Sequence, residues 1–530
     1  MNETIFFGGP ILTMDAARPR CEAVLVRRGR IAAVGALADL TVQAPDARRE
    51  DLQGRTLMPA FVDGHSHLAS EGLARQCCDL TGCAGFDELL ERIRAFRQER
   101  DLTHGEVLQC RGYDPAIMRE GEHPTAALLD RLGFDNPIVC THISGHIAVY
   151  NTAAMRRCGV DDSFTDPEGG HAVRDAAGHL TGCFEEQAKA AFSGLTKRTE
   201  AEEEAAILEA QENYLAHGFT VIQDGSRTGA ARAALYRRLA EEGKLKADVV
   251  VYLDSDPADP APWQENVRGW GRDYRHHLKF GGVKLMLDGS PQARTAWMRQ
   301  PYEGDPDYCG YPTHTDQWVV RVLGNAIAAG LQPLAHCNGD AAAEQFIRCW
   351  AAAVEAAGHG TELRPIMIHA QTVGRDQLER MAPLGMQPSF FTGHCWYWGD
   401  VHLKNFGERA LRISPVRWAL EAGLVPSFHQ DCPVTPPDML ESVWCAVNRV
   451  TRNGAVLDMA QAVTPYEALQ AATRGGAYVY FEENIRGVLR PGALADLIVL
   501  DADPTAVAPM AIRDIRVVRT VKEGETVFEG

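Results

Sequence analysis

Eight short apolar runs spread over the middle of the chain constrain its fold more than any other feature. They fall at 57–62, 219–224, 247–253, 283–287, 331–335, 365–368, 386–391 and 424–428. Each has the length and the β-branched or aromatic content of a buried strand. Several intervening stretches, 202–216, 317–329, 341–357 and 415–421, carry the 3.6-residue period of an amphipathic helix. Eight strands alternating with helices predict a distorted (β/α)8 TIM barrel, an α/β fold of about 250 residues. The rival is an open doubly wound sheet, but no G-x-G-x-x-G follows an early strand to support nucleotide binding.

The rest of the chain is organised around that core. Residues 1–57 read as short strands (4–13, 23–26 and 30–34) separated by Gly and charged turns. The far end reads alike, with strands at 495–500 and 515–521. Neither end is long enough to bury a core alone, so the economical plan joins 1–57 and 482–530 into one small β-sandwich domain. The barrel then occupies 58–481. Between His67 and Phe219 lies a stretch too long for a structureless loop. It holds a helix at 86–100 and mixed segments at 107–113, 137–150 and 178–187, and predicts an inserted α/β subdomain over 70–200 that serves as a lid, or only stability or oligomer contacts.

The ends of the apolar runs carry the chemistry. The first closes on Asp63-Gly64-His65-Ser66-His67. Residues two apart in an extended backbone point to one side, so His65 and His67 present both imidazoles to one point, as a metal ion requires. The fifth run ends at His336, the sixth at His369, and the eighth at His429-Gln430-Asp431. A single such histidine is usually a satisfied core residue. Metal-ligand types at successive strand ends, where barrel active sites sit, point instead to a metal site. Lys284 lies within the fourth run, where a buried cation is costly, so it is expected to be neutral, paired or modified.

Composition excludes other classes. The net charge of −18, with no basic stripe, argues against nucleic acid and anionic membrane partners. The 14 cysteines are scattered without a C-x-x-C pair, as in a reduced, cytoplasmic protein. The N-terminus lacks a signal-peptide pattern, and no apolar run approaches a membrane span.

Motifs spread over nearly the whole chain resemble those of the amidohydrolase superfamily of metal-dependent hydrolases. They are Pro59-Ala60-Phe61-Val62-Asp63-Gly64-His65-Ser66-His67, Val283-Lys284-Leu285-Met286-Leu287-Asp288-Gly289-Ser290, His336-Cys337-Asn338-Gly339-Asp340, the strand ending at His369, Asp431-Cys432-Pro433-Val434 and Pro491-Gly492-Ala493-Leu494-Ala495-Asp496-Leu497-Ile498-Val499-Leu500. The pattern is most similar to the amidohydrolase 3 (YtcJ-like) branch, which includes N-substituted formamide deformylases. One departure is Gln430, where relatives often have Ser. The resemblance implies that His65, His67 and Asp431 hold one divalent metal, that His336 and His369 hold a second, and that a carbamylated Lys284 bridges them. One or two ions per chain are implied, and zinc suits imidazole and carboxylate donors. Asp431 is implied as the proton shuttle in hydrolysis of an amide C–N bond of a small-molecule substrate.

Two alternatives stand beside that reading: a deaminase of a cyclic amidine or heterocycle, and a non-catalytic metal-binding regulatory protein. Five aromatics at 390–398, with His394 and Trp396 among the residues there, exceed the chain's 8% average and fit a wall for an apolar or aromatic substrate group. Ordinary packing is the competing account. His146 and Tyr113, with Asp114, in the insertion and Arg294 after the fourth run are further candidates for substrate contact. The oligomeric state is open.

Overall fold

A computed structural model describes residues 3–143, 145–255, 259–270 and 273–530. The chain divides into two compact units, Met1–Glu71 with Leu208–Gly530, and Gly72–Ile207.

The larger unit is built on an eight-stranded parallel sheet. Its strands are β1 (Phe61–Val62), β2 (Phe219–Thr228), β3 (Asp248–Asp254), β4 (Leu278–Met286), β5 (Gln332–Cys337), β6 (Ile366–His369), β7 (Gln387–Phe390) and β8 (Ser427–Phe428). They lie side by side in chain order, and every neighbouring pair is parallel. Helices such as Asp316–Ala329 and Asp340–Ala357 connect successive strands, as parallel pairing demands. The sheet curls far enough for its two edges to meet. Gly64 N donates to Phe428 O at 3.1 Å, His67 N to Cys432 O at 3.0 Å and Asp431 N to His65 O at 3.3 Å. Those bonds bring the residues that follow the first and last strands together.

Two strands depart from their sequence-based boundaries for physical reasons. The run 57–62 is not one strand. Thr56–Pro59 pairs antiparallel with Leu497–Leu500 in a different sheet, and only Phe61–Val62 joins β2. Ala60, between them, donates its N–H to Asp496 O at 3.0 Å. The strand expected at 283–287 begins earlier, at Leu278, because Gly281-Gly282 is a close approach and not a break. A Cβ on Gly282 would sit 1.8 Å from Gln332 O of β5, so the apparent breaker is what lets β4 and β5 pair there.

Two further sheets belong to the same unit, the first built from the N-terminal segment and the second from both termini. One has the order Arg30–Gly35, Ala23–Arg27, Glu3–Phe7, Arg48–Asp51. The other has the order Glu525–Glu529, Val517–Lys522, Leu497–Leu500, Thr56–Pro59, Ile11–Leu12, Arg20–Cys21. The run expected at 4–13 is split between them. One buried cluster joins the sheets, with Phe6, Val24 and Val26 from the first meeting Leu57, Leu497 and Val521 from the second.

At the starting ends of β3 and β4 the same unit buries a network of charges. Arg486 reaches Asp248 at 2.7 Å, Asp496 at 2.9 Å and Glu482 at 2.5 Å. Lys522 lies 3.0 Å from Asp248 and 3.4 Å from Asp496, and Lys279 pairs with Glu482.

The smaller unit has its own six-stranded sheet, in the order Gly170–Arg174, Leu180–Glu186, Ile147–Tyr150, Ile138–His142, Leu108–Tyr113, Cys78–Asp79. Alternate residues enter two separate clusters. Cys110, Cys140, Val149 and Cys183 pack with Leu89 and Ile93 of the helix Phe86–Glu99, while Val139, Ala148 and Phe184 pack with Phe192. No helix among the described residues is long and apolar enough to cross a membrane.

Candidate metal centre

The turn after β1 is held by Asp63. Its buried carboxylate accepts from His65 N at 3.1 Å, from Gln223 N at 3.1 Å and from the Ser66 hydroxyl. Burial pushes the Asp63 carboxyl up to about 6, against the downward pull of those hydrogen bonds. His65 Nδ1 faces Gln223 Oε1 at 2.5 Å. The Gln223 amide nitrogen is committed elsewhere, donating to Tyr480 Oη at 2.7 Å and Gly64 O at 3.3 Å. Nδ1 of His65 therefore carries the hydrogen, and Nε2 presents its lone pair. Gly225 makes room for this pairing. A Cβ there would lie 2.4 Å from both Gln223 Oε1 and His65 Cε1.

Around that lone pair the other strand ends converge. Asp431 Oδ1 lies 3.5 Å from His65 Nε2 and 3.1 Å from His67 Nε2. Lys284 Nζ, from β4, lies 2.9 Å from His65 Nε2. His336, on β5, turns Nδ1 to Asp288 Oδ1 at 3.0 Å. The Asp288 carboxylate is fixed by the N–H groups of Trp297, Asn338 and Gly339. The His369 ring lies 4.5 Å from that of His336 and 6.0 Å from that of His65, centre to centre. Its Nδ1 faces His429 Nε2 at 3.2 Å, and His429 Nδ1 faces Ser389 Oγ at 2.8 Å. His369, Ala370 and Asp431 all take positive φ, at 69°, 45° and 57°. Three non-glycine residues in that region store strain where side chains are re-aimed, as at ligand-holding sites.

The electrostatics suit a bound cation. Burial holds His65 and His369 well below the usual imidazole range, with neighbouring positive groups adding to the effect. These rings are therefore neutral lone-pair donors. Burial also lowers the Lys284 ammonium to about 7, opposed by Asp431 and Cys337. Burial would push the Asp431 carboxyl up, but the adjacent His67 ring and nearby positive groups outweigh it and hold the group below its ordinary value. Asp431 Oδ1 is buried yet accepts no well-directed hydrogen bond, despite the close His67 nitrogen. Donor atoms of His65, His67 and Asp431 all lie within 4.8 Å of one another. Two imidazoles and an unsatisfied carboxylate oxygen this close together fit a divalent ion.

These groups open into a cavity of about 560 Å³, lined also by Asp254, Ser255, Met286, His314 and Pro433. The aromatic run expected as a substrate wall lies elsewhere than this lining. None of the residues 390–398 is among the described lining residues. Phe390 and Phe391 are buried, and Phe391 packs on the rings of His394, His429 and Trp398. His394 is also buried, with Nδ1 3.0 Å from His402 Nε2. Trp396 packs edge-on against Trp444 at 5.2 Å and beneath Arg513. Arg294 lies over the Tyr302 ring and faces Asp305 at 3.5 Å. The run packs this way because its loop folds back on buried neighbours, a direction that composition does not encode. Gln430 is buried and donates to Ser442 Oγ at 2.9 Å. In the smaller unit, Tyr113 Oη lies 3.0 Å from His123 Nδ1 and His146 faces Glu186 at 3.0 Å. Ser144, just before His146, lies outside the described residues.

Sequence reasoning missed the ring partners Gln223, Asp288 and His429. Each is a polar residue inside or closing an apolar run, but nothing in the sequence says which ring it meets.

Comparison with known proteins places the whole arrangement. The model of the amidohydrolase family (Amidohydro_3) matches residues 48–528, and the chain belongs to that family. It is 29% identical over 542 residues to the N-substituted formamide deformylase of Arthrobacter pascens, covering 100% of this chain and 99% of that protein. It is 27% identical over 541 residues to the putative amidohydrolase YtcJ of Bacillus subtilis (strain 168), covering 99% of each. Among solved structures it is similar to an uncharacterized metal-dependent hydrolase from Pyrococcus horikoshii OT3, with a TM-score of 0.78, 26% identity, and coverage of 96% of this chain and 99% of that one.

Proposed function

We propose that this protein is a metal-dependent amidohydrolase that cleaves the C–N bond of a small-molecule amide. The observation that carries the reading is the convergence of His65 Nε2, His67 Nε2 and the unsatisfied Asp431 Oδ1. These three would hold one divalent ion. His336 and His369 would hold a second, and zinc suits both sets. The neutral amine of Lys284 would add to carbon dioxide and release a proton, giving a carbamate between the two positions. When bound, a divalent ion polarises a carbonyl and brings the pKa of water toward neutrality. Asp431 takes the proton of the attacking water and passes it to the leaving nitrogen. The strands would close as a barrel, with this site at the C-terminal ends of its strands.

The deformylase relative makes N-substituted formamides the first substrates to try. Metal analysis of protein purified without chelator is combined with a panel of formamides, aryl and alkyl amides, and aminated heterocycles. Stoichiometric zinc with carboxylate release from an amide supports the proposal. Absence of a transition metal defeats it, and ammonia from a heterocycle with no amide cleavage transfers it to deamination.

A further inference from the structure

Three histidines of the site, His65 and His369 buried and His336 half-buried, each engage a partner through the same ring nitrogen. His65 uses Nδ1 toward Gln223 Oε1, His336 uses Nδ1 toward Asp288 Oδ1, and His369 uses Nδ1 toward His429 Nε2. The first two partners are oxygens that only accept, so they fix the hydrogen on Nδ1 and leave the lone pair on Nε2, which in His336 also faces Asn338 Nδ2 at 3.2 Å. The third partner differs in kind. A neutral imidazole offers one N–H and one lone pair, so His429 does not fix the direction by chemistry alone.

Resting on the metal-centre reading above, we propose that His429 is a positioning residue that accepts the Nδ1–H of His369 and so reserves His369 Nε2 for an ion. The geometry leaves His369 no second way to serve. Its Nδ1 is taken by His429 at 3.2 Å, so a ligand role must fall to Nε2, and Nε2 has a lone pair only if Nδ1 holds the hydrogen. His429 must then be protonated at Nδ1, and that N–H meets Ser389 Oγ at 2.8 Å. A hydroxyl both donates and accepts, so Ser389 is able to accept from His429 Nδ1. His429 and Ser389 are both fully buried, so neither is exchanging partners with solvent. Phe391 packs on His429, with ring centres 5.5 Å apart. His369 itself sits at positive φ, a backbone that needs support from the groups its ring meets.

The test separates an acceptor from a merely space-filling ring. Full-length protein is stripped of metal and titrated with cobalt, following the visible absorption of the bound ion and competing with a chelator. The wild-type titration tests the metal-centre reading: no binding at all would defeat that reading together with this one. His429→Phe keeps the ring but removes the acceptor. It is expected to weaken at least one bound equivalent by roughly 10- to 100-fold, the usual cost of losing a partner behind a ligand. His429→Gln restores an acceptor like the one Gln223 gives His65, and is expected to recover most of that affinity. Ser389→Ala, at the far end of the chain of bonds, is expected to give a smaller loss in the same equivalent. Wild-type affinity in the Phe variant would overturn the proposal. So would equal weakening in the Phe and Gln variants, which is what a purely packing role gives.

Discussion

Replacing Arg486 with Met tests how the floor of the curled sheet is held. Arg486 is 2% exposed and makes three charged contacts, to Asp248, Asp496 and Glu482. The surrounding network has three carboxylates against Arg486, Lys522 and Lys279. Met fills much the same volume but leaves three buried carboxylates facing two cations. Removing one member of a buried pair costs about 3–5 kcal/mol. Lys522 still touches both Asp248 and Asp496, which places the expected loss near the middle of that range, about 4 kcal/mol. The assay is equilibrium urea unfolding of the full chain, read by tryptophan fluorescence. The pH dependence supplies an independent check. Burial pushes the Asp248 carboxyl up, but Arg486 and Lys522 outweigh it and hold the group well below its ordinary value. A depressed folded pKa contributes stability above the unfolded carboxylate value of about 3.9 and loses it as pH falls through the folded value. The unfolded chain is common to both proteins, and Lys522 and His277 still face Asp248 in the variant, so the gap holds from pH 7 to 4 and narrows only as pH falls below the ordinary carboxylate range. A loss under about 1 kcal/mol, or a gap that closes between pH 7 and 4, would refute the reasoning.

Other predictions concern the site. Asp431→Asn is expected to lose turnover by roughly a hundredfold or more while keeping wild-type circular dichroism; near-normal turnover with metal intact would move the proton shuttle elsewhere. Gly225→Ala places a methyl 2.4 Å from His65 and Gln223, and is expected to lower metal content with little change in secondary structure, as measured by metal analysis beside circular dichroism. Because burial lowers Lys284 to about 7, its amine is mostly neutral above that pH and mostly charged below it. Uptake of ¹³C-bicarbonate into a carbamate, followed by ¹³C NMR, should therefore rise between pH 6 and 8 and level off above. A pH-independent uptake, or none, would count against carbamylation. Prolonged dialysis against a chelator should abolish hydrolysis, with recovery on adding zinc.

What could be read from the sequence was whatever announces itself within one strand. His336 and His369 stand out because each closes an apolar run, and Lys284 because it is a charge inside one. His65 and His67 share a side through a local rule of extended chain. Contacts between distant strands had no such signature. That Gln223, Asp288 and His429 back the site histidines depends on how the sheet curls, and in sequence each looks like an ordinary polar residue near a strand end. The aromatic residues at 390–398 show the same limit: composition records that a loop is rich in rings, not which surface they bury against. Gly281-Gly282 hid the start of β4, since a residue without Cβ marks both a turn and a tight strand contact.

The split of the first strand fixes an order of events during synthesis. Thr56–Pro59 leaves the ribosome early, and His65 and His67 follow within a few residues. Its antiparallel partner, Leu497–Leu500, emerges only after all eight strands of the curled sheet. Asp431 likewise comes late, on the turn after β8. A nascent chain thus exposes two imidazoles long before the carboxylate or the clamping strand exists, and it cannot trap an ion in the finished geometry while translation is under way. The proposed site is therefore completed only after the last strand of the curled sheet and the clamping strand Leu497–Leu500 have been made.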